Sequence, residues 1–144
     1  MTVAVYRAPM RSRRDDVDVG ATIERARALG LCGFGSSGSS TARLARRIER
    51  FRNIESGSFV WTRDPDGLYW LGRITGPYFH DTDEAAVAVD LVHVRECRWL
   101  TEPLLEPAVP AAVVATFGRG GRNFQRTHDA AVGAESKRLW ENLS

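Results

Sequence analysis

Lysine is almost missing from this chain: of its 20 basic residues all but Lys137 are arginine. With no lysine in any glycine-rich stretch there is no GK[ST] phosphate loop, and no pair of acids with a lysine to form a nuclease centre. Cysteine is scarce too. Cys32 and Cys97 lie far apart, without CxxC or Cys/His spacing, so a zinc site is not expected and both read as free thiols of a reducing compartment. His80, His93 and His128 are too scattered to serve as a ligand set, and no nucleophile has a base placed beside it in sequence. No apolar run approaches the ~20 residues of a membrane span. Residues Met1 to Met10 lack a signal-peptide core, and the expectation is a cytoplasmic protein that needs neither metal nor cofactor.

What is present is an ordinary globular composition, 144 residues with 43% hydrophobic and 26% charged side chains. That length supports one core, and the whole of 1–144 reads as one domain. The net charge of +2 hides an uneven distribution. Residues 1–58 carry 11 arginines against 6 carboxylates, residues 59–107 carry 4 against 9, and residues 108–144 carry 5 basic side chains against 3 acidic. A GC-rich genome enriches arginine everywhere, so the clustering rather than the arginine count points to a polyanion. The densest case is Phe117 to Arg126, where three glycines, Arg119, Arg122 and Arg126 surround Asn123, Phe124 and Gln125. Arginine forks suit phosphates, and the two amides suit base edges. A solvated tight turn is the plain alternative for this loop.

The periodicities give an α+β protein. A short strand over 2–8 stops at Pro9, a charged loop follows, and a helix spans 19–29 with Gly30 at its C-terminal end. Leu31 to Gly35 is a compact apolar segment leading into a serine tract. Leu44, Ile48 and Phe51 then set the apolar stripe of a second helix capped by Thr41, whose other faces hold Arg43, Arg46, Arg47 and Arg50. A solvated face is the default reading of those arginines. Ser58 to Arg63 and Leu68 to Ile74 form a hairpin around Asp64-Pro65-Asp66-Gly67, with Gly76-Pro77 expected to end it. Asp81, Asp83 and Glu84 lie in an acidic loop. Ala85 to Leu100 reads as a strand pair or one bent strand with a bulge near Arg95-Glu96. Val109 to Phe117 reads as a last strand, and residues 129–142 as a closing helix.

Several pieces together resemble the PUA-like superfamily, in particular EVE domains and the related modules of modification-dependent restriction systems. The segments are Gly33-Phe34-Gly35-Ser36, Ile54 to Trp61, Leu71 to Tyr78 and Val92 to Trp99, in order across roughly residues 2 to 118. The resemblance implies a small bent PUA/EVE-like β-barrel with flanking helices, and a pocket that holds a modified base flipped from the helix. Such a reader needs an aromatic cage and a few polar groups for the base edge. Phe34, Ser36, Trp61, Trp70 and Tyr78 are the base-pocket candidates on this basis, although a strand tryptophan is more often core. Ser37, Arg43, Arg119, Arg122, Asn123, Gln125 and Arg126 are the nucleic-acid-binding candidates.

The expected function is non-enzymatic binding of methylated double-stranded DNA, with 5-methylcytosine the favoured base and methyladenine the other. The alternatives are an RNA-binding PUA-like module and a domain that takes a small molecule or a protein at the barrel mouth.

Overall fold

The structure, a computed structural model, describes residues 3–38 and 40–144. Thr2 and Ser39, which belong to the first strand and the serine tract of the sequence reading, lie outside the described residues. Six strands form one mixed sheet in the order β2-β5-β4-β3-β1-β6. They are β1 (Val5–Arg7), β2 (Leu31–Phe34), β3 (Phe59–Arg63), β4 (Tyr69–His80), β5 (His93–Trp99) and β6 (Gln125–Arg126). β1 runs parallel to β3, and all other neighbours are antiparallel. The strands β2 and β6 remain at the two edges, so the sheet is open and the closed barrel is not formed.

Strand alternation sorts the core into two layers. On β3, Phe59 and Trp61 face one side with Tyr69 and Leu71 of β4; there α4 (Ala111–Gly118) and α5 (Val132–Leu143) supply Val113, Val132 and Trp140. Val60 and Ile74 face the other side, where α1 (Ala21–Leu29) and α2 (Thr41–Arg52) supply Ile23, Ala26 and Phe51. The second side also receives Tyr6, Phe34 and Phe124, and it carries the site.

The hairpin forms as its turn chemistry dictates. Asp64 Oδ1 accepts the Asp66 and Leu68 amides, and β3 pairs with β4 from Phe59↔Arg73 to Arg63↔Tyr69. Gly30 ends α1 with φ 68. Five expectations change. The N-cap of α2 is Ser40, whose hydroxyl accepts the Arg43 amide, instead of Thr41. Gly76-Pro77 does not end β4, because the proline sits in a bulge where it owes no ladder bond: Ile74 opposes Cys97 but Tyr78 opposes Arg95. The extra residues thus belong to β4 and not to Arg95-Glu96. The segment after the acidic loop opens with the short helix α3 (Glu84–Ala88), capped by Asp83, and only His93–Trp99 is strand. Finally, Val109 to Phe117 is not a strand. Pro110 starts helix α4 there, and Val113 and Thr116 are buried against the sheet.

Two buried arginines fix the backbone around the site. Arg95 donates from Nε to the Gly76 carbonyl in the bulge (2.8 Å) and from Nη1 to the Phe51 (3.1 Å) and Ile54 carbonyls at the C-terminal end of α2. Arg7 donates to the carbonyls of Thr116 (2.9 Å), Gly120 (2.7 Å) and Asn123 (3.3 Å). One arginine anchors α2 and the other anchors the glycine-rich loop.

Candidate nucleic-acid interface

Between α2 and the loop that leads into β6 lies a cavity of about 760 Å³. Its rings come from four separated places: Tyr6 on β1, Phe34 at the end of β2, Phe51 on α2 and Phe124 before β6. Phe124 joins them. Its centroid is 5.6 Å from Tyr6 in a stacked pair, 5.0 Å from Phe51 edge-on and 6.5 Å from Phe34. The rim is cationic. Arg43, Arg46, Arg47 and Arg50 recur at the i, i+3, i+4, i+7 spacing of one helical face, beside the Leu44, Ile48 and Phe51 stripe that holds α2 to the sheet. Arg13 and Arg126 line the cavity too, and among the described residues no lining side chain is acidic. Asn53, Asn123 and Gln125 add amides, with Asn123 Oδ1 accepting from Arg13 Nη2 at 3.3 Å. Burial, followed by the Arg13, Arg50 and Arg43 charges, lowers the Arg47 pKa, while Asp90 opposes that shift.

Aromatic faces offer stacking to any base, and a guanidinium rim offers phosphates their partners. The cavity is large enough for a drug-sized ligand, a class that takes ~300–1,000 Å³.

Behind Phe34 stands a polar group of side chains. His93 is buried and bridges Ser36 Oγ (2.7 Å from Nε2) and Tyr78 OH (2.9 Å from Nδ1), with His80 stacked at 4.9 Å. Burial, then the His80 and Arg47 charges, lower its pKa to about 4, so it is neutral at physiological pH. The Ser36–His93 contact has the spacing of a nucleophile and its base, but a base this weak removes little hydroxyl proton. Asp90 holds the turn in place: Oδ1 accepts the Ser36 amide at 3.1 Å and Oδ2 the Ser12 hydroxyl at 2.7 Å. Gly33 and Gly35 are required by close approach, since a Cβ would run into the His93 carbonyl at the first and into Asp90 at the second.

The candidate residues divide accordingly. Phe34, Arg43, Asn123, Gln125 and Arg126 line the cavity. Ser37 and Arg122 line a small adjoining recess with Asp90. Ser36 and Tyr78 stand one layer back through His93. Tyr78 meets Phe51 edge-on at 6.2 Å, and burial raises its hydroxyl pKa. Arg119 is exposed at the end of α4, outside the cavity. Two candidates need correction. Trp61 is fully buried on the opposite side of the sheet, where its Nε1–H donates to Ser136 Oγ at 3.1 Å; its place in the strand alternation sends it away from the cavity. Trp70 packs under the Arg27 guanidinium (3.3 Å to the ring) and donates to Asp64 Oδ2 at 3.0 Å, so it serves the hairpin. The sequence reading missed Tyr6, Arg13, Phe51 and Phe124 as cavity walls and gave Arg46, Arg47 and Arg50 to solvent. Their i, i+3, i+4, i+7 recurrence was the available signal.

Solved structures share this arrangement of strands and helices. The fold is similar to that of YTH domains. The YTH domain of the Zygosaccharomyces rouxii MRB1 protein in complex with N6-methyladenosine RNA aligns at a TM-score of 0.51 and 12% identity, covering 99% of this chain and 89% of that one. The Pho92 YTH domain in complex with m6A aligns at 0.56 and 12% identity, covering 96% and 86%. The sequence matches no family model and no curated protein. At this identity the likeness speaks for the fold, and it does not confirm the EVE and PUA-like assignment. Among the described residues no cluster of His, Cys, Asp or Glu suits a metal ion, and no helix is long and apolar enough to cross a membrane.

Proposed function

We propose that the protein binds single-stranded RNA that carries a methylated base, N6-methyladenine, with the base among Phe34, Phe51, Phe124 and Tyr6 and the flanking phosphates on the α2 arginines. The observation that carries the reading is the cavity itself: four rings inside and six arginines at the rim, in a fold shared with domains solved with N6-methyladenosine RNA or m6A. Unpaired bases are the ones a ring cage can take without first opening a duplex, and their backbone is free to follow a helix face. The preference of the sequence reading for duplex DNA and 5-methylcytosine therefore yields to its RNA alternative. The role is binding without catalysis.

Fluorescence anisotropy with short RNAs that differ only in one adenine, methylated or not, tests this. The methylated strand is expected to bind at least several-fold tighter, with both affinities falling as salt rises by about 0.7 in log K per log salt for each phosphate held. Phe124→Ala should bring the two strands close together in affinity. Arg43→Gln with Arg50→Gln should weaken both alike and flatten the salt dependence. Equal binding of the two RNAs by the intact protein refutes the methyl reading, and a methylated DNA duplex that outcompetes both restores the DNA one.

A further inference from the structure

We propose that the cavity accepts only uncharged methylated bases and rejects those that are cationic at neutral pH, with Arg47 as the residue that decides. This deepens the reading above and rests on it. Rings alone would do the opposite, because an aromatic face attracts cations and cages of this kind commonly hold them. Here a side chain of the protein already occupies that place. The Arg47 guanidinium carbon lies 4.5 Å from the centroid of Phe34, on the cavity wall. Arg13, Arg43 and Arg50 crowd the same charge.

A carboxylate in the cavity would offset the Arg47 charge for a cationic base, and none of the described lining residues has one. Asp90 is the acid that acts on Arg47. Its two oxygens already accept the Ser36 amide and the Ser12 hydroxyl, and it lines the adjoining recess instead. A cationic base would thus bring a like charge against a guanidinium in a partly desolvated place with no acid to meet it. A neutral methylated base meets the same rings without that repulsion, and its ring nitrogens can accept from guanidinium. Every RNA shares the attraction of its phosphates to the rim, so the discrimination falls at the base.

The isomers N6-methyladenine and 1-methyladenine make the test, since they differ in charge at neutral pH with the same methyl count. Three single-stranded RNAs, identical except for adenine or either isomer at one position, are titrated against the intact protein by anisotropy. The 1-methyladenine strand is expected to bind at least tenfold weaker than the N6-methyladenine strand. Arg47→Gln should narrow that gap at least threefold. For the unaltered protein the gap should shrink only slightly between about 0.05 M and about 0.5 M salt, since a partly desolvated pair is screened much less than an exposed one. A gap unchanged by the variant means a steric block at N1, and overturns the electrostatic account. Equal binding of the two isomers, both above adenine, overturns this inference and leaves the methyl reading standing. Loss of any preference for N6-methyladenine over adenine overturns the methyl reading and this inference with it.

Discussion

Replacing Arg7 by methionine isolates how the glycine-rich loop is held. Arg7 is buried, and its guanidinium joins three carbonyls more than a hundred residues away: Thr116 at 2.9 Å, Gly120 at 2.7 Å and Asn123 at 3.3 Å. Burial and the charge of Arg119 lower its pKa, which marks the cost of keeping this cation inside. Each well-formed bond from a charged donor is worth about 1.5–3 kcal/mol, and the long one to Asn123 adds little. Methionine fills much of the volume and removes the burial cost, which offsets part of the loss. The net destabilisation should be about 2–3 kcal/mol by urea unfolding, within the usual range for breaking a buried polar network. Amide exchange at residues 118–126 should accelerate more than exchange in β3 and β4, because those carbonyls lose their anchor while the sheet ladder does not. Affinity for RNA should fall at the same time, since Asn123, Phe124, Gln125 and Arg126 reach the cavity from this loop. A loss under about 0.5 kcal/mol with unchanged loop exchange would refute the clamp.

Acid should weaken the fold through His93. Its folded pKa of about 4 lies below the ordinary 6.5, so between those values the unfolded chain binds more protons; stability is full above pH 6.5 and declines as pH falls toward 4. The loss reaches at most about 3 kcal/mol, read as the difference between urea midpoint series for the intact protein and His93→Gln, and parallel series remove His93 from this account. Ser136→Ala should cost about 1–3 kcal/mol by stranding the buried Trp61 Nε1–H, yet leave the ratio of methylated to unmethylated RNA affinity unchanged; a changed ratio puts Trp61 back in the site.

The parts of the fold that were legible in the sequence are those whose causes are local. Asp64 to Gly67 carries its own turn chemistry, so the hairpin follows from residues within a few positions of one another. Gly30 stops α1 for the same kind of reason. The stretch from Val109 to Phe117 is different, because the Ala/Val run from Ala111 to Ala115 fits a buried strand and a buried helix equally, and the choice falls to packing against Val5 and Tyr69 across the chain. The cavity belongs wholly to that second kind. Tyr6, Phe34, Phe51 and Phe124 carry no shared spacing, and only the order of strands, with β6 placed beside β1, brings them together.

Charge was legible as a total but not as a role. Arg7 and Arg95 counted toward the basic N-terminal segment and against the acidic middle, yet both are buried clamps that satisfy carbonyls and offer little charge to a ligand. The helix-face arginines, read as ordinary solvated charges, form the cavity rim instead. The loop of Gly118 to Arg126 changes as well. Arg119 does not line the cavity, Arg122 reaches only its adjoining recess, and the apolar Phe124 is what closes the ring wall. A loop selected by its arginines therefore contributes an aromatic side chain most directly, and the basic character of the site comes chiefly from α2. On the proposed function that division separates two jobs: ring contacts from β1, β2, α2 and the loop, with Arg47 beside them, bear on which base is held, while the other arginines of the same α2 face bear on how strongly the strand is held at a given salt.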